Sequence, residues 1–241
     1  PQFSVNTFSK FFFKQELDST NTTFFENIKI HEPSMYKLFH KKLLCSKVYW
    51  KIEKNKKFFD NNSKTKNIRL LSNFLKNSVT EHLNSDVKIA LLLSGGLDSS
   101  IIGELIKNNY SKKIETFTYD FIGNDIGESI KAHEISNYLG YKNHNIIVKP
   151  DYILKNFEKI CLELESPFTS IRLFGLRKLY HNINKEGYKV ALEGSGGDEL
   201  LGGYEYNYLS NILDLHSRKK TKILKYFRSL SKEKLLNSII T

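Results

Sequence analysis

The sequence predicts an α/β fold, a parallel sheet flanked by helices, preceded by a short β-rich stretch. Two observations predict it. From residue 87 onward, apolar strand-like runs alternate with segments of helical period, the pattern of a parallel sheet wound by right-handed crossovers. Two glycine-rich loops also directly follow apolar runs, after Leu93 and after Glu193, where a parallel sheet places its ligand at the carboxyl ends of its strands.

The first fifty-odd residues are rich in aromatics, Thr and Asn and carry short strand-like runs. Phe24–Ile30 reaches a turn at 31–34, and Met35–Phe39 then alternates as a strand. Residues 53–67 read as a polar linker of Lys, Asn and Ser. Ile68, Leu71, Leu75, Val79 and Leu83 recur at helical spacing, which predicts a helix over 64–82. A strand over 87–93, a helix to about 109, a strand over 114–119 and a helix over 126–139 follow. The strand 145–148 comes next, then a helix from Pro150 to about Leu164, since proline suits the first helical turn. A helix over 170–184 and the strand 188–192 close the series. Near the C-terminus, Arg218, Lys219, Lys220, Lys222, Lys225 and Arg228 lie on a helical pattern opposite Ile223, Leu224, Phe227 and Leu230, and read as a solvated face.

Composition bounds the function. The chain has 241 residues, 40% of them hydrophobic and 26% charged, an ordinary soluble balance. Its longest aliphatic run falls far short of the ~20 residues that span a bilayer, and no basic segment leads into an apolar leader. The expectation is a cytoplasmic protein with no membrane partner. Two isolated cysteines, Cys45 and Cys161, form neither a disulfide framework nor a zinc motif. The net charge of +11 is mostly scattered lysine, so a nucleic-acid partner is not expected. The chain opens on Pro1 and reads as a fragment.

The first loop reads Ser94-Gly95-Gly96-Leu97-Asp98-Ser99, between the run Ile89–Leu93 and a helical segment. A strand, a glycine loop and a helix start place free N–H groups and a positive dipole end in one concavity, which suits phosphate. The loop has no Gly-Lys-Ser/Thr and no GxGxxG. It resembles the pyrophosphate-binding loop of the ATP pyrophosphatase superfamily, whose members split ATP into AMP and pyrophosphate. The second loop, Glu193-Gly194-Ser195-Gly196-Gly197-Asp198-Glu199-Leu200-Leu201-Gly202-Gly203-Tyr204, adds a second carboxylate. Asp98 and Asp198 facing a pyrophosphate require a cation, so Mg²⁺ is expected between them and ATP.

Together the two loops resemble the synthetase domain of glutamine-dependent asparagine synthetases. Thr169-Ser170-Ile171-Arg172 is similar to a segment that the family uses near aspartate. Glu128-Ser129, Ala132, Leu139-Gly140 and His144 resemble its middle stretch, and residues 24–50 resemble the end of its glutaminase domain. The resemblance implies an adenine nucleotide alpha hydrolase-like fold over 58–241, incomplete at its C-terminus, after a glutaminase-like remnant and linker over 1–57. It also implies asparagine synthesis from aspartate through an acyl-adenylate, with ammonia from glutamine, in a homodimer. By resemblance, Asp98, Asp198 and Arg172 are catalytic, with the two aspartates on magnesium. Leu92, Ser94, Gly95, Gly96, Asp98, Ser99, Tyr119, Glu193 and Gly194 hold the nucleotide, and Thr169, Ser170, Arg172 and Ser195 the substrate.

Three departures from the family pattern stand out. Ser195 occupies a place where the family carries an acid, and a serine cannot serve as a carboxylate base. The family's glutaminase uses an N-terminal cysteine as nucleophile, whereas this chain opens on Pro1 and neither Cys45 nor Cys161 is placed for that role; the family's later catalytic lysine would lie beyond Thr241. Related amidotransferases on other carboxylates or sugars, a tRNA-modifying ATPase with the same loop, and an inactive fragment are the alternatives.

Overall fold

The computed structural model describes residues 1–14, 21–52, 63–110, 114–123, 128–167, 170–204, 206–207 and 210. Residues 53–62 of the linker read at 53–67 and the basic segment at 218–228 lie outside them, and residues 64–67 belong to the helix that follows. The chain divides into two compact units, one of residues 1–75 with 148–177 and one of 76–147 with 178–241.

The first unit opens with helix α1 (Val5–Lys14), where the sequence suggested only strand-like runs. Ser4 caps it: its carbonyl accepts from Phe8 N at 3.0 Å, and its hydroxyl lies 3.1 Å from that of Thr7. Phe11 then meets Phe24 edge-to-face, with centroids 5.7 Å apart. The expected strand over 24–30 is reduced to isolated bridges at Phe25 and Lys29. Asn27, at φ 65°, turns the chain there, and the Thr23 hydroxyl fastens the turn by donating to the Ile28 carbonyl at 2.9 Å. Strands β1 (Met35–His40) and β2 (Lys42–Val48) pair as an antiparallel hairpin, confirming the strand read at 35–39.

Helix α2 (Lys64–His82) has the bounds that its periodicity predicts. Helix α5 (Pro150–Leu164) starts at its proline and ends on Glu165 in the left-handed region at φ 51°. Arg177 holds Glu163 through the two donors of one guanidinium edge, Nε at 2.8 Å and Nη2 at 3.0 Å, and so ties the start of α6 (Arg172–Lys185) to α5 within this unit.

The second unit is built on a four-stranded sheet of order β5-β4-β3-β6, formed by β3 (Ile89–Leu92), β4 (Glu115–Phe121), β5 (Lys142–Val148) and β6 (Val190–Leu192). Strand β3 runs parallel to β4 on one side and to β6 on the other. All four β3 residues are buried, as a continuous apolar run in a sheet covered on both faces should be. Leu91 packs with Leu83, Ile89, Ile106 and Ile114 in the core. Helices α3 (Leu97–Asn109) and α4 (Glu128–Leu139) fill the crossovers. They pack closely because Gly103 has no side chain: a Cβ there would lie 2.7 Å from Leu139 Cδ1. Among the described residues no helix is long and apolar enough to cross a membrane.

One charged group is built into the sheet. Glu115 Oε2 lies 2.5 Å from His144 Nε2, which donates when it carries the proton, and 3.6 Å from Lys142 Nζ. The His144 ring stacks on Phe117, with centroids 4.5 Å apart and planes 6° from parallel. Burial raises the Glu115 pKa, but the His144 hydrogen bond and the Lys142 charge outweigh it and hold the carboxyl below its ordinary value. A carboxyl depressed in the folded state stabilises the fold above its unfolded pKa and loses that contribution as pH falls through the folded value. The urea midpoint should therefore drop as pH is lowered from 6 toward 3, and Glu115→Gln should flatten that dependence. An equal slope in the variant would contradict the assignment.

Candidate functional site

Strand β3 delivers the first glycine loop. Leu92 is buried at its end, and Leu93 N donates to the Phe117 carbonyl at 3.0 Å, the last rung before the chain leaves the sheet. Gly95 then takes φ +79°, which favours glycine. A Cβ on it would lie 2.8 Å from Lys131 Cβ and 2.9 Å from the Glu128 carbonyl, so the first turn of α4 rests directly on the loop. Asp120, buried at the end of β4, holds that turn: it accepts from Ser129 Oγ at 2.7 Å and from Phe121 N at 2.8 Å.

The serines of the loop tie it to α3. Ser94 Oγ accepts from Gly96 N at 3.2 Å and lies 3.1 Å from Ser99 Oγ, while the Ser100 hydroxyl donates to the Gly96 carbonyl at 2.6 Å. Ser99 is buried and accepts from Ser94 N at 3.3 Å. Its hydroxyl thus shapes the loop from inside. Gly96 caps α3 with no side-chain hydrogen bond, and Asp98 sits in the first turn. The opening N–H groups of a helix without such a cap are donors for an anion.

The second loop folds onto the first. A Cβ at Gly194 would lie 2.9 Å from Ser99 N and 3.0 Å from Asp98 Cβ, and one at Gly197 would lie 2.6 Å from Asp98 Cγ. Two glycines therefore admit the Asp98 carboxyl into the second loop, immediately before Asp198. The loop also contains a five-residue helix, α7 (Gly197–Leu201), which sequence reasoning missed. Glycines at φ +93° (Gly196) and φ +72° (Gly202) bracket it. Gly202 N and Gly203 N close it on the Asp198 carbonyl at 2.9 and 3.0 Å, and the Asp198 carboxylate packs against Gly203.

Two tyrosines brace the acids beside it. Tyr180 OH donates to Glu193 Oε2 at 3.1 Å, and burial followed by the Glu193 charge raises the Tyr180 pKa. Tyr204 OH donates to Glu199 Oε1 at 2.6 Å; that bond holds Glu199 below its ordinary value and pushes Tyr204 up to about 12. Tyr204 stacks on Tyr206 at 5.3 Å.

The structure thus brings Ser94, Gly95, Gly96, Asp98 and Ser99 together with Gly194 and with the residue preceding Asp198. Ser195 is exposed within the second loop, and Tyr119 is half-buried with its ring edge-on to Phe121 at 6.0 Å. Thr169 lies outside the described residues. Ser170 and Arg172 belong to the first unit, where Ser170 Oγ accepts from Arg172 N at 3.2 Å and Arg172 opens α6, exposed. Asp120, Ser129, Lys131 and Tyr180 reach the site through contacts distant in sequence. No local pattern announces these, although Glu128-Ser129 stood among the matched motifs.

Two glycine loops at the strand ends of an open parallel sheet, one opening a helix that no side chain caps and the other closing over Asp98, define the candidate site of an α/β domain. The asparagine synthase family model matches residues 70–238, most of the chain, and the protein belongs to that family. Its sequence is 31% identical to the glutamine-hydrolysing asparagine synthetase B of Escherichia coli K12 over 62% of this chain and 30% of that protein. It is 28% identical to the amidase chry2 of Gibberella zeae over 77% of this chain and 30% of that protein. Among solved structures, the ammonia-dependent NAD synthetase of Campylobacter jejuni matches at TM-score 0.40 and 22% identity, over 56% of this chain and 60% of that one. The matched part of the chain spans about a fifth to a third of the length of these curated relatives.

Proposed function

We propose that the chain carries the adenylating step of an ATP-dependent amide ligase, making asparagine from aspartate with ammonia derived from glutamine. The observation that carries this reading is the closure of the second glycine loop over Asp98, with Gly197 against its carboxyl. Family membership and relatives named as glutamine-hydrolysing asparagine synthetases support it.

The chemistry follows from the weakness of a carboxylate as an electrophile. One oxygen of the aspartate side-chain carboxylate attacks the α-phosphorus of ATP, the bond to the β-phosphate breaks, and pyrophosphate leaves. Ammonia then attacks the acyl carbon; AMP departs and the nitrogen loses a proton. The N–H groups that open α3 stabilise the charge gathering on pyrophosphate. Leu92, Tyr119, Glu193 and Gly194 border the adenosine, and Ser94, Gly95 and Gly96 shape the phosphate cradle. Arg172 receives the amino-acid carboxylate, which a planar guanidinium matches in a bidentate manner, and Thr169 and Ser170 belong to the same substrate segment.

The donor set fits magnesium. Asp98 enters the loop that carries Asp198, so both carboxylates belong to this pair of loops. Magnesium is commonly held by one or two carboxylates, with phosphate and water completing its shell. Bound there by Asp98 and Asp198, it would neutralise phosphate charge.

Full-length protein given ATP and magnesium should release pyrophosphate at least about 10-fold faster when aspartate and ammonia or glutamine are added. No stimulation would contradict the reading. Stimulation by a different carboxylate would favour the second reading, an adenylating amidotransferase of other specificity. Ser195 supports that alternative because it stands where asparagine synthetases carry an acid. A cytoplasmic enzyme working as a homodimer accords with either.

A further inference from the structure

We infer that Lys131, on α4, is a pyrophosphate-binding residue that supplies the first loop with the cation its own sequence lacks. This rests on the phosphate-binding reading of the loop given above.

The geometry begins at Gly95. Its α-carbon approaches α4 so closely that a Cβ would lie 2.8 Å from Lys131 Cβ, 2.9 Å from the Glu128 carbonyl and 3.0 Å from Ala132 N. The base of the Lys131 side chain therefore lies against the loop itself. Side chains on a helix lean toward its N-terminus and cover the preceding turn. For Lys131 that turn is the one at Glu128, which also rests on Gly95. The residue is exposed, and among the described residues its ammonium has no hydrogen-bond or ion-pair partner. A lysine with an apolar stem packed and its charge in water places that charge at the rim of whatever its stem covers.

The charge is needed there. The loop holds no lysine between Ser94 and Ser100, and Asp98 and Asp198 bring two negative charges to a site read as taking a polyphosphate. Asp120 fixes the position through Ser129, since the helix carrying Lys131 is held to the end of β4 by that 2.7 Å hydrogen bond. Ala132, the next residue, is fully buried, so α4 cannot rotate to carry Lys131 away without opening the core.

Calorimetric titration of the full-length protein with inorganic pyrophosphate plus magnesium, and separately with AMP, tests the assignment. Lys131→Met keeps the stem and removes the charge. It should weaken pyrophosphate binding by about 10-fold or more while AMP binding changes by less than about 2-fold. Lys131→Arg should recover most of the affinity, and both variants should keep the wild-type melting temperature. Unchanged pyrophosphate affinity in Lys131→Met, or an equal loss for AMP, would overturn the assignment alone. A wild-type protein that binds AMP but not pyrophosphate, or binds neither, would overturn it together with the phosphate reading of the loop.

Discussion

Asp98→Asn is expected to lower carboxylate-dependent pyrophosphate formation by about 10³-fold, the scale on which a single group that stabilises transition-state charge acts. The substitution keeps the shape of the side chain that Gly197 accommodates and removes only its charge. Its cost to the fold is the lost interaction of a carboxylate with the start of α3, about 0.3–1 kcal/mol. The thermal midpoint should therefore move by a few degrees at most while activity collapses. Asp198→Asn should behave alike. If both carboxylates serve one cation, the double variant should be little worse than either single one, because groups acting as a unit are not additive. Independent, multiplying losses would separate the two aspartates.

Gly95→Ala should be the most damaging conservative change in the phosphate loop. Alanine at φ +79° costs about 1–2 kcal/mol in the backbone alone. The new methyl would also meet Lys131 Cβ, the Glu128 carbonyl and Ala132 N, two of them backbone atoms of a helix fixed to the core. Overpacking of that kind costs about 1–3 kcal/mol more, or displaces the loop. Gly140→Ala is the control. It has a similar φ of +75° but nothing within 4 Å, so it carries the backbone strain without the collision. A melting comparison should show Gly95→Ala clearly less stable, with nucleotide binding lost. Equal effects would mean that α4 gives way to the methyl without cost.

The order of the α/β elements was legible because each carries its own periodicity. Helices α2 and α5 begin and end where the sequence places them, the latter opening on Pro150. Helix α1 was not legible because its Phe, Thr, Asn and Ser residues are indifferent helix formers. The one local signal, Ser4 capping toward Thr7, is weak beside the aromatic character of the segment. The stretch 24–30 looked like a strand because alternation says nothing of Asn27 turning left-handed. At the site, the two loops could be read and paired from their glycines and aspartates. The manner of pairing could not, because Gly194 and Gly197 meet Asp98 across about a hundred residues of chain. The buried hydrogen bond from Ser129 to Asp120 and the seat of Lys131 on Gly95 are likewise products of packing, invisible to any local window.

The position of the phosphate bond that breaks tests the central claim most directly. Phosphorus NMR of full-length protein turning over ATP with magnesium, aspartate and ammonia should show AMP and pyrophosphate appearing together in equal amounts. ADP and orthophosphate as the primary products would place the cleavage at the terminal phosphate and contradict the account.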